Sequence, residues 1–444
     1  MTQALPVPSP VAVATAASRR FLPLLPLLPV LPVLALVATL TLPVSGEGGG
    51  TVADAVSGLV VLGCALRLVR DRRRPLSRTA AVVFGLPVVG LALATAGAAS
   101  AGAGAAGLVR YLQIFVLVPA AVMLLVRDRR DARLVAWSLV GLAGWQGALG
   151  VHQYVTGTGA SYRGEMIRAV GTFGSTDIMG MAAVVSFGLV CALGIALGSG
   201  SARQRAVAAL CALALLLPLA LSFSRGAWIA TAVTCGVQVV LAGLRRAVRV
   251  FAAVGATAVV LVGGFGVGTA MLQERIGSIT QVADAPDQSV TDRYTMWTAA
   301  VDMWRDRPLT GVGLKGFPDH RDGHASLALS SGSDTDGAGA GFRRQPLLSP
   351  HNMYLLVLSE QGLLGLLALA GSWLALLVGG LRRLLSARRS PEGADCALIA
   401  CGLLLWQLVD FVYADIGGPS TVLTALVLGL AAWWALAAEG AGER

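Results

Sequence analysis

Apolar runs of about 20 residues recur from one end of this chain to the other, the length a helix needs to cross a bilayer. In hydrocarbon every backbone N–H and C=O must find its partner inside the protein, so such runs are restricted to helices. Of the 444 residues, 55% are hydrophobic and only 13% charged, with a mean hydropathy of +0.73. A soluble domain carries about twice that charged fraction. The chain therefore reads as an all-α membrane protein without a large soluble domain.

The runs place about twelve transmembrane helices at 21–43, 53–69, 79–97, 107–126, 134–151, 176–198, 206–222, 227–243, 250–271, 351–379, 396–414 and 419–438. In the first, Pro23, Pro26, Pro29 and Pro32 recur at every third position and repeatedly remove helix donors, so its N-terminal half is expected to be irregular. The resulting organisation is a tail at 1–20, nine helices over 21–271, a long loop at 272–350, three helices over 351–438 and a short tail at 439–444.

The net charge of +10 does not point to nucleic acid, because the positive residues cluster in short loops between apolar runs. Arg19 and Arg20 precede the first span. Arg70, Arg72, Arg73, Arg74 and Arg78 follow the second, and Arg127, Arg129, Arg130 and Arg133 the fourth. Arg203 and Arg205 follow the sixth, Arg245, Arg246 and Arg249 the eighth, and Arg382, Arg383, Arg388 and Arg389 the tenth. The loops after spans one, three and eleven hold neither Lys nor Arg. Positive residues stay in the cytoplasm, so both termini are expected there, in the cytoplasmic membrane, with the loop between helices 9 and 10 outside. Six cysteines all lie in or beside apolar runs and read as small buried residues, not as a disulfide framework or metal site.

Three segments on the outer side carry arginine against this bias: 152–175 with Arg163 and Arg168, the turn at Arg225, and the long loop with Arg293 among eight basic and ten acidic residues. Within that loop, residues 290–307 predict an amphipathic helix, with Tyr294, Trp297, Val301 and Trp304 at three- and four-residue spacing, on the membrane surface or against the bundle. A glycine-punctuated turn follows over Pro308–Phe317, and 331–341 reads as flexible. His320 and His324 are four apart, but Gly323 and the flanking loop argue against a stable helix there. No metal or other cofactor is expected.

Ser349-Pro350-His351-Asn352 closes the loop and opens a span. Ser349 predicts an N-cap and Pro350 the first helical position, placing His351 at the positive end of a helix dipole that would keep its imidazole neutral. A neutral imidazole there can take a proton from a hydroxyl, or merely cap the helix. Glu360 lies nine residues on, about 13 Å along a helix and on the opposite face, so it is not the direct partner of His351. Asp410, near the outer end of span eleven, is the better candidate to orient the histidine or pair with an arginine. Arg225, in Ser222-Phe223-Ser224-Arg225-Gly226-Ala227-Trp228, offers a planar donor fork suited to phosphate oxygens or lipid headgroups.

These pieces together resemble the O-antigen ligase and O-antigen polymerase (Wzy-like) superfamily. The resemblance rests on Arg168-Ala169-Val170-Gly171-Thr172-Phe173, the SFSRGAW hairpin, Arg293 with Trp297 and Trp304, the Pro308, Gly311-Val312-Gly313, Phe317 turn, and His351-Asn352 running into Glu360-Gln361-Gly362-Leu363-Leu364-Gly365. It covers roughly residues 100–440, and departs where Ser175-Thr176-Asp177 replaces the usual Pro-Asn. It implies a GT-C-like glycan transferase that moves a glycan from an undecaprenyl-pyrophosphate donor to an acceptor hydroxyl, without metal or nucleotide sugar. Carried over by position, Arg168, Arg225 and Arg293 would bind phosphate, Asn352 would contact substrate and His351 would be the base, with Asp410 and Glu360 as orienting groups. The expected partners are the lipid-linked donor, an acceptor that no motif identifies, and membrane lipids. Two alternatives stand beside it: a SEDS-type peptidoglycan polymerase, relying on Asp292, Asp302, Asp306 or Asp319, and a non-enzymatic flippase or transporter, which predicts paired charges at the bilayer midplane.

The topology is testable by cysteine-accessibility labelling at Ser333 and at the C-terminus. Opposite sidedness is expected; labelling of both from outside would sink the arrangement.

Overall fold

The computed structural model describes residues 29–43, 51–71, 76–162, 167–177, 179–198, 201–245, 247–249, 252, 288–337, 340–387, 393–418 and 420–436. The chain is an all-α multi-pass membrane protein. Among the described residues, seven helices are long and apolar enough to cross a bilayer: α2 (Val52–Asp71), α3 (Arg78–Ala96), α4 (Ala101–Leu125), α5 (Arg129–Thr156), α6 (Gly180–Leu197), α7 (Ala202–Leu221) and α11 (Met353–Ala387). α1 (Leu31–Thr39), α8 (Arg225–Leu241), α12 (Ala394–Asp410) and α13 (Thr421–Leu436) are shorter, while α9 (Gln288–Asp306) and α10 (Phe317–His324) lie in the long loop. Of the first expected span only Leu31–Thr39 is a described helix, entered from Val30 with Pro32 in its first turn. The expected span at 250–271 lies outside the described residues, Ala252 excepted.

The local sequence explains where the helices begin. The side chains of Ser77, Ser100, Asp128, Ser201 and Ser224 each accept the N–H three residues on and cap α3, α4, α5, α7 and α8. Within α4, Gln113–Leu117 widens into a π-turn. Pro119 has no N–H to give the carbonyl of Phe115 and its ring crowds it, which accounts for the bulge.

Packing ranks the helices. α6 is the axis of the bundle, with 78% of its span window buried, against 22% for α2 and α7, whose outer faces are left for lipid. Small residues let the axis approach its neighbours: a Cβ on Gly188 would stand 2.2 Å from Ala143 Cβ of α5. Buried polar side chains add specific ties. Gln238 Nε2 on α8 donates to the carbonyls of Val190 on α6 (3.1 Å) and Leu398 on α12 (3.0 Å). Trp406 Nε1 donates to Thr231 Oγ1, which donates to Ser186 Oγ. At the arginine-rich end, Arg133 pairs with the buried Asp395 and joins α5 to α12. The six cysteines are free, four of them buried, in keeping with a packing role.

At the opposite end the loops carry more order than the sequence suggests. Of the stretch at 331–341, expected to be flexible, the described residues are largely strand. Strands β2 (Ser333–Gly337) and β3 (Ala340–Gln345) form an antiparallel hairpin, and β1 (Ala160–Tyr162) adds to β2 to make a three-stranded sheet. The sheet ties the α5–α6 connection to the long loop. Phe317–His324 is also helical, against expectation. Pro318 occupies its first turn, and the rings of His320 and His324 bond the carbonyls four residues back, which offsets Gly323.

The largest departure is α11. It begins at Met353, not His351, and is two helices joined by a sharp turn at Gly362 (φ 65°, ψ −167°). Tyr354 and Trp373 would stand about 28 Å apart along a straight helix. Instead their rings lie 6.3 Å apart, and both touch Phe411. The segment Met353–Gln361, called the arm below, therefore folds back beside the start of the span that follows it. The turn after α9 fills the break. Val312 and Gly313 donate their N–H groups to the carbonyls of Ser359 and Glu360, both at 2.9 Å. The carbonyls of Pro308 and Leu309 accept the N–H groups of Leu363 (2.8 Å) and Leu364 (3.2 Å). Those four groups are the ones a continuous α-helix would have bonded to each other, 359 to 363 and 360 to 364.

Candidate functional site

The arm and α9 run side by side toward the break. Trp297 Nε1, midway along α9, donates to the carbonyl of Pro350 (2.8 Å) at the foot of the arm, and Trp304 Nε1 donates to that of Pro308 (3.2 Å), four residues on in the turn that fills the break. α9 is thus the amphipathic helix expected at 290–307, but its buried face differs from the one the aromatics predict. Asp292, Thr295, Met296, Ala299, Ala300 and Met303 point inward, whereas Tyr294 is 59% exposed. The tryptophans lie on the flank and work through their indole N–H groups.

His351 precedes the arm in a left-handed backbone conformation (φ 48°). The helix cap is not Ser349 but Asn352, whose Oδ1 accepts the N–H of Leu355 (3.1 Å). Asn352, expected to touch substrate, is buried and spends its side-chain oxygen on this cap. Met353 N–H is shared between the carbonyls of Phe411 (2.8 Å) and Ala414 (3.1 Å), which sets His351 against the connection between α12 and α13. The imidazole is half-buried, and burial holds its pKa below the usual 6.5. The Arg293 cation lowers it further and Asp415 opposes. The direction matches the sequence reading, but the cause is burial and a neighbouring arginine; the ring stands outside the cap, not in the first helical turn.

The stretch 410–415 is the hub to which the other expected groups attach. Asp410 ends α12, and the charges of Asp177, Asp415 and Arg293 act on it. Asp177, in the α5–α6 connection, accepts the N–H of Ser420 at 3.0 Å, and burial raises its pKa. Arg225 is exposed at the first position of α8, while a Cβ on the adjacent Gly226 would touch Tyr413 Cβ at 3.2 Å. Arg168 is half-exposed, and its backbone pairs with Ala160 beside β1. The next residue, Ala169, donates to the carbonyl of Leu221 (3.2 Å), which brings Arg168 to the same hairpin as Arg225. Asp177 enters the sequence reading only within the departure Ser175-Thr176-Asp177, and Asp415 not at all. The acidic Asp415, two residues past Tyr413, gave no signal beyond its position at a helix end, and one of its oxygens, Oδ2, is buried without a partner.

Glu360 is farther from this group, though the charge of Asp415 still acts on it. It stands at the other end of the arm, in the break, with Oε1 accepting the N–H of Phe317 (3.3 Å). The break packs against the loop end of α3: Leu314 N–H reaches the carbonyl of Ala94, and Gly313 approaches Gly97. Glu360 therefore marks the rim of the bundle, not its interior. Beneath it, Phe115, Tyr354, Trp373 and Phe411 form an aromatic floor, with ring centroids 5.0–6.4 Å apart. The rise from Met353 to Gln361 is about 12 Å, so His351 lies at the end of the arm away from that rim. Arg163 lies outside the described residues. Among the described residues, no group of three or more His, Cys, Asp and Glu side chains is placed to hold a metal ion.

Residues 209–370 match the family model for O-antigen ligase. The chain carries an O-antigen ligase domain. The match contains Arg225, Arg293, the turn that fills the break, His351 and Glu360, and it stops short of the hub at 410–415. No curated protein matches the chain. The domain places the protein in cell-surface polysaccharide assembly.

Three of the loop aspartates that a peptidoglycan-polymerase-like enzyme would rely on are engaged in structural contacts. Asp292 accepts from Ser330 through both oxygens (2.8 and 2.6 Å) and from Gln288; Asp302 pairs with Arg305, and Asp306 with His324. Asp292→Ala should cost about 1–3 kcal/mol of stability, seen as a lower unfolding temperature in detergent, while the folded enzyme retains transfer. Abolished turnover with unchanged stability would move catalysis to this aspartate.

Proposed function

We propose that the protein transfers or polymerises a glycan, taken from an undecaprenyl-pyrophosphate-linked donor, onto an acceptor hydroxyl at the outer face of the cytoplasmic membrane. The observation that supports this best is the placement of His351 in the field of Arg293, on a hub that includes Asp410 and meets Gly226, the residue after Arg225. In this reading His351 is the general base. It takes the proton of the acceptor hydroxyl as that oxygen bonds to the anomeric carbon of the donor sugar. The bond from that carbon to the pyrophosphate oxygen breaks in the same event, and the electron pair leaves on undecaprenyl pyrophosphate. Arg168, Arg225 and Arg293 hold this leaving group; their planar forks fit phosphate oxygens and act most strongly where water is scarce. The leaving group is already a stable anion, so charge neutralisation and alignment of the acceptor are what the protein must supply.

The arginine alternation supports both termini in the cytoplasm and the loop end of the bundle outside. A histidine about 12 Å along the arm from the rim suits a donor whose polyprenyl chain lies in the lipid and whose pyrophosphate lies at its edge. Asp410 and Asp415 are the orienting groups for the histidine. Glu360 serves the rim.

His351→Ala should lower transfer by about 10²–10⁴ while expression and donor binding persist. With the pKa of the base below 6.5, the parent should hold full activity at neutral pH and lose it only as pH falls through that depressed value. A pH–rate profile flat into the acid range, or a His351→Ala variant at parental rate, would remove the histidine from the chemistry.

Arg225→Lys keeps the charge and loses the fork. It should weaken donor use with normal membrane insertion, and Arg225→Ala should weaken it more. Full activity of the alanine variant would leave the hairpin a lipid contact only.

A further inference from the structure

The break at Gly362 offers an assignment that the reaction alone does not call for. We propose that the turn at Pro308–Phe317 is a register latch, in which Gly311 and Gly362 act as positioning residues that fix the His351 arm along the Arg293 helix. The proposal rests on the reading of His351 as the base.

Two parallel helices, α9 and the arm, are pinned together at both ends. At the lower end Trp297 holds Pro350, one residue before His351 and one helical turn beyond Arg293. At the upper end four backbone bonds join 308–313 to 359–364. From Trp297 to Pro308 is eleven residues, and from Pro350 to Leu363, whose N–H the Pro308 carbonyl accepts, is thirteen. With both ends of the pairing held, the latch sets the axial position of one helix against the other. A slip of one residue displaces His351 from Arg293 by about 1.5 Å.

The two glycines are what allow the backbones to meet. Both have φ near +65°, and each faces the opposite side of the latch. A Cβ on Gly362 would lie 2.3 Å from the carbonyl carbon of Leu309, and one on Gly311 would lie 2.5 Å from that of Glu360. Backbone stands in the way in both cases, so an alanine at either place must push the latch apart. Gly313 repeats the pattern against the end of α3, with a Cβ 2.3 Å from the carbonyl oxygen of Gly97. That contact anchors the latch to the bundle, so the arm is fixed to the rim as well as to α9.

The charged groups that act on the His351 ring are Arg293 from α9 and Asp415 from the α12–α13 connection, with Asp410 in the field of both. An arm that slides along α9 changes the ring's distance from Arg293 and its burial together. The sequence has four histidines, His152, His320, His324 and His351, so their titrations can be followed individually.

The test uses full-length protein labelled with ¹⁵N-histidine in lipid nanodiscs, with His351→Ala to assign the resonance. A synthetic undecaprenyl-pyrophosphate-linked sugar serves as donor probe. In the parent, the His351 midpoint should lie below 6.5. In Gly311→Ala and Gly362→Ala it should move up toward that ordinary value, and kcat should fall by about 100-fold, the scale of a 1 Å misplacement. A folded glycine variant with parental midpoint and parental kcat overturns the latch. Where the glycine variants do not accumulate, Trp304→Phe carries the test, since it removes the indole donor to the Pro308 carbonyl and leaves that of Leu363 in place: a raised midpoint supports the latch and a parental one overturns it. The midpoint does not depend on turnover, so failure of the base reading, seen as a His351→Ala variant at parental rate, is told apart from failure of the latch.

Discussion

Two N–H groups and two carbonyls, offered by the turn after α9 to the break in α11, hold the loop end of this protein together. A helix that reverses in or near a membrane leaves four backbone groups unpaired, and lipid offers them nothing. Here another part of the chain supplies the missing partners, two donors for two acceptors and two acceptors for two donors. Without that exchange the arm would have no reason to fold back, Tyr354 would not reach Trp373, and His351 would not meet the α12–α13 connection.

The site is assembled from segments far apart in sequence, and each is locally strained or locally capped. The non-glycine residues with positive φ among the described residues are Phe223, Lys315 and His351. All three lie at the same end of the bundle: one in the Arg225 hairpin, one in the latch turn, one at the foot of the arm. A non-glycine residue held in the left-handed region costs on the order of 1–3 kcal/mol and persists only where its surroundings fix it. The surroundings are visible. Phe223 packs its ring on Tyr154, and the turn holding Lys315 packs on Gly107 of α4. His351 stands between Pro350, held by Trp297, and Met353, held by Phe411 and Ala414.

Much of this was legible in the sequence, and the misses share a cause. Apolar length located the described helices, while the serine and aspartate caps that bound them were not read. The spacing of Tyr294, Trp297 and Trp304 located α9 but misled about its inner face, because indole N–H bonding at a flank mimics an apolar stripe. Ser349-Pro350 carried the signature of a helix start too early in the chain, since a left-handed histidine and an asparagine cap leave no local mark that outweighs it. The reversal at Gly362 was hidden for a deeper reason. An apolar run reads the same whether its helix is straight or folded, and the partners that make the fold possible lie in the turn after α9, far upstream. Asp177 and Asp415 were missed likewise: their significance comes from neighbours that only the tertiary fold provides.

The charges around His351 bear directly on the proposed chemistry. A base beside a cation is a weaker base, and Arg293 adds to burial in holding the imidazole neutral. On the proposed reading, the same arginine receives the pyrophosphate of the donor. A bound anion offsets the cation's field at the ring, so the histidine becomes more basic when the donor is in place. Asp415 acts in the same direction in either state. The base would then be weakest in the empty site, where a stray proton would only disable it, and strongest when an acceptor hydroxyl can be used. A helix dipole, the source of neutrality that the sequence suggested, has no such dependence, because its field does not change when the donor arrives. On that reading, placing the histidine one residue outside the cap, against an arginine from another helix, would couple its basicity to the donor.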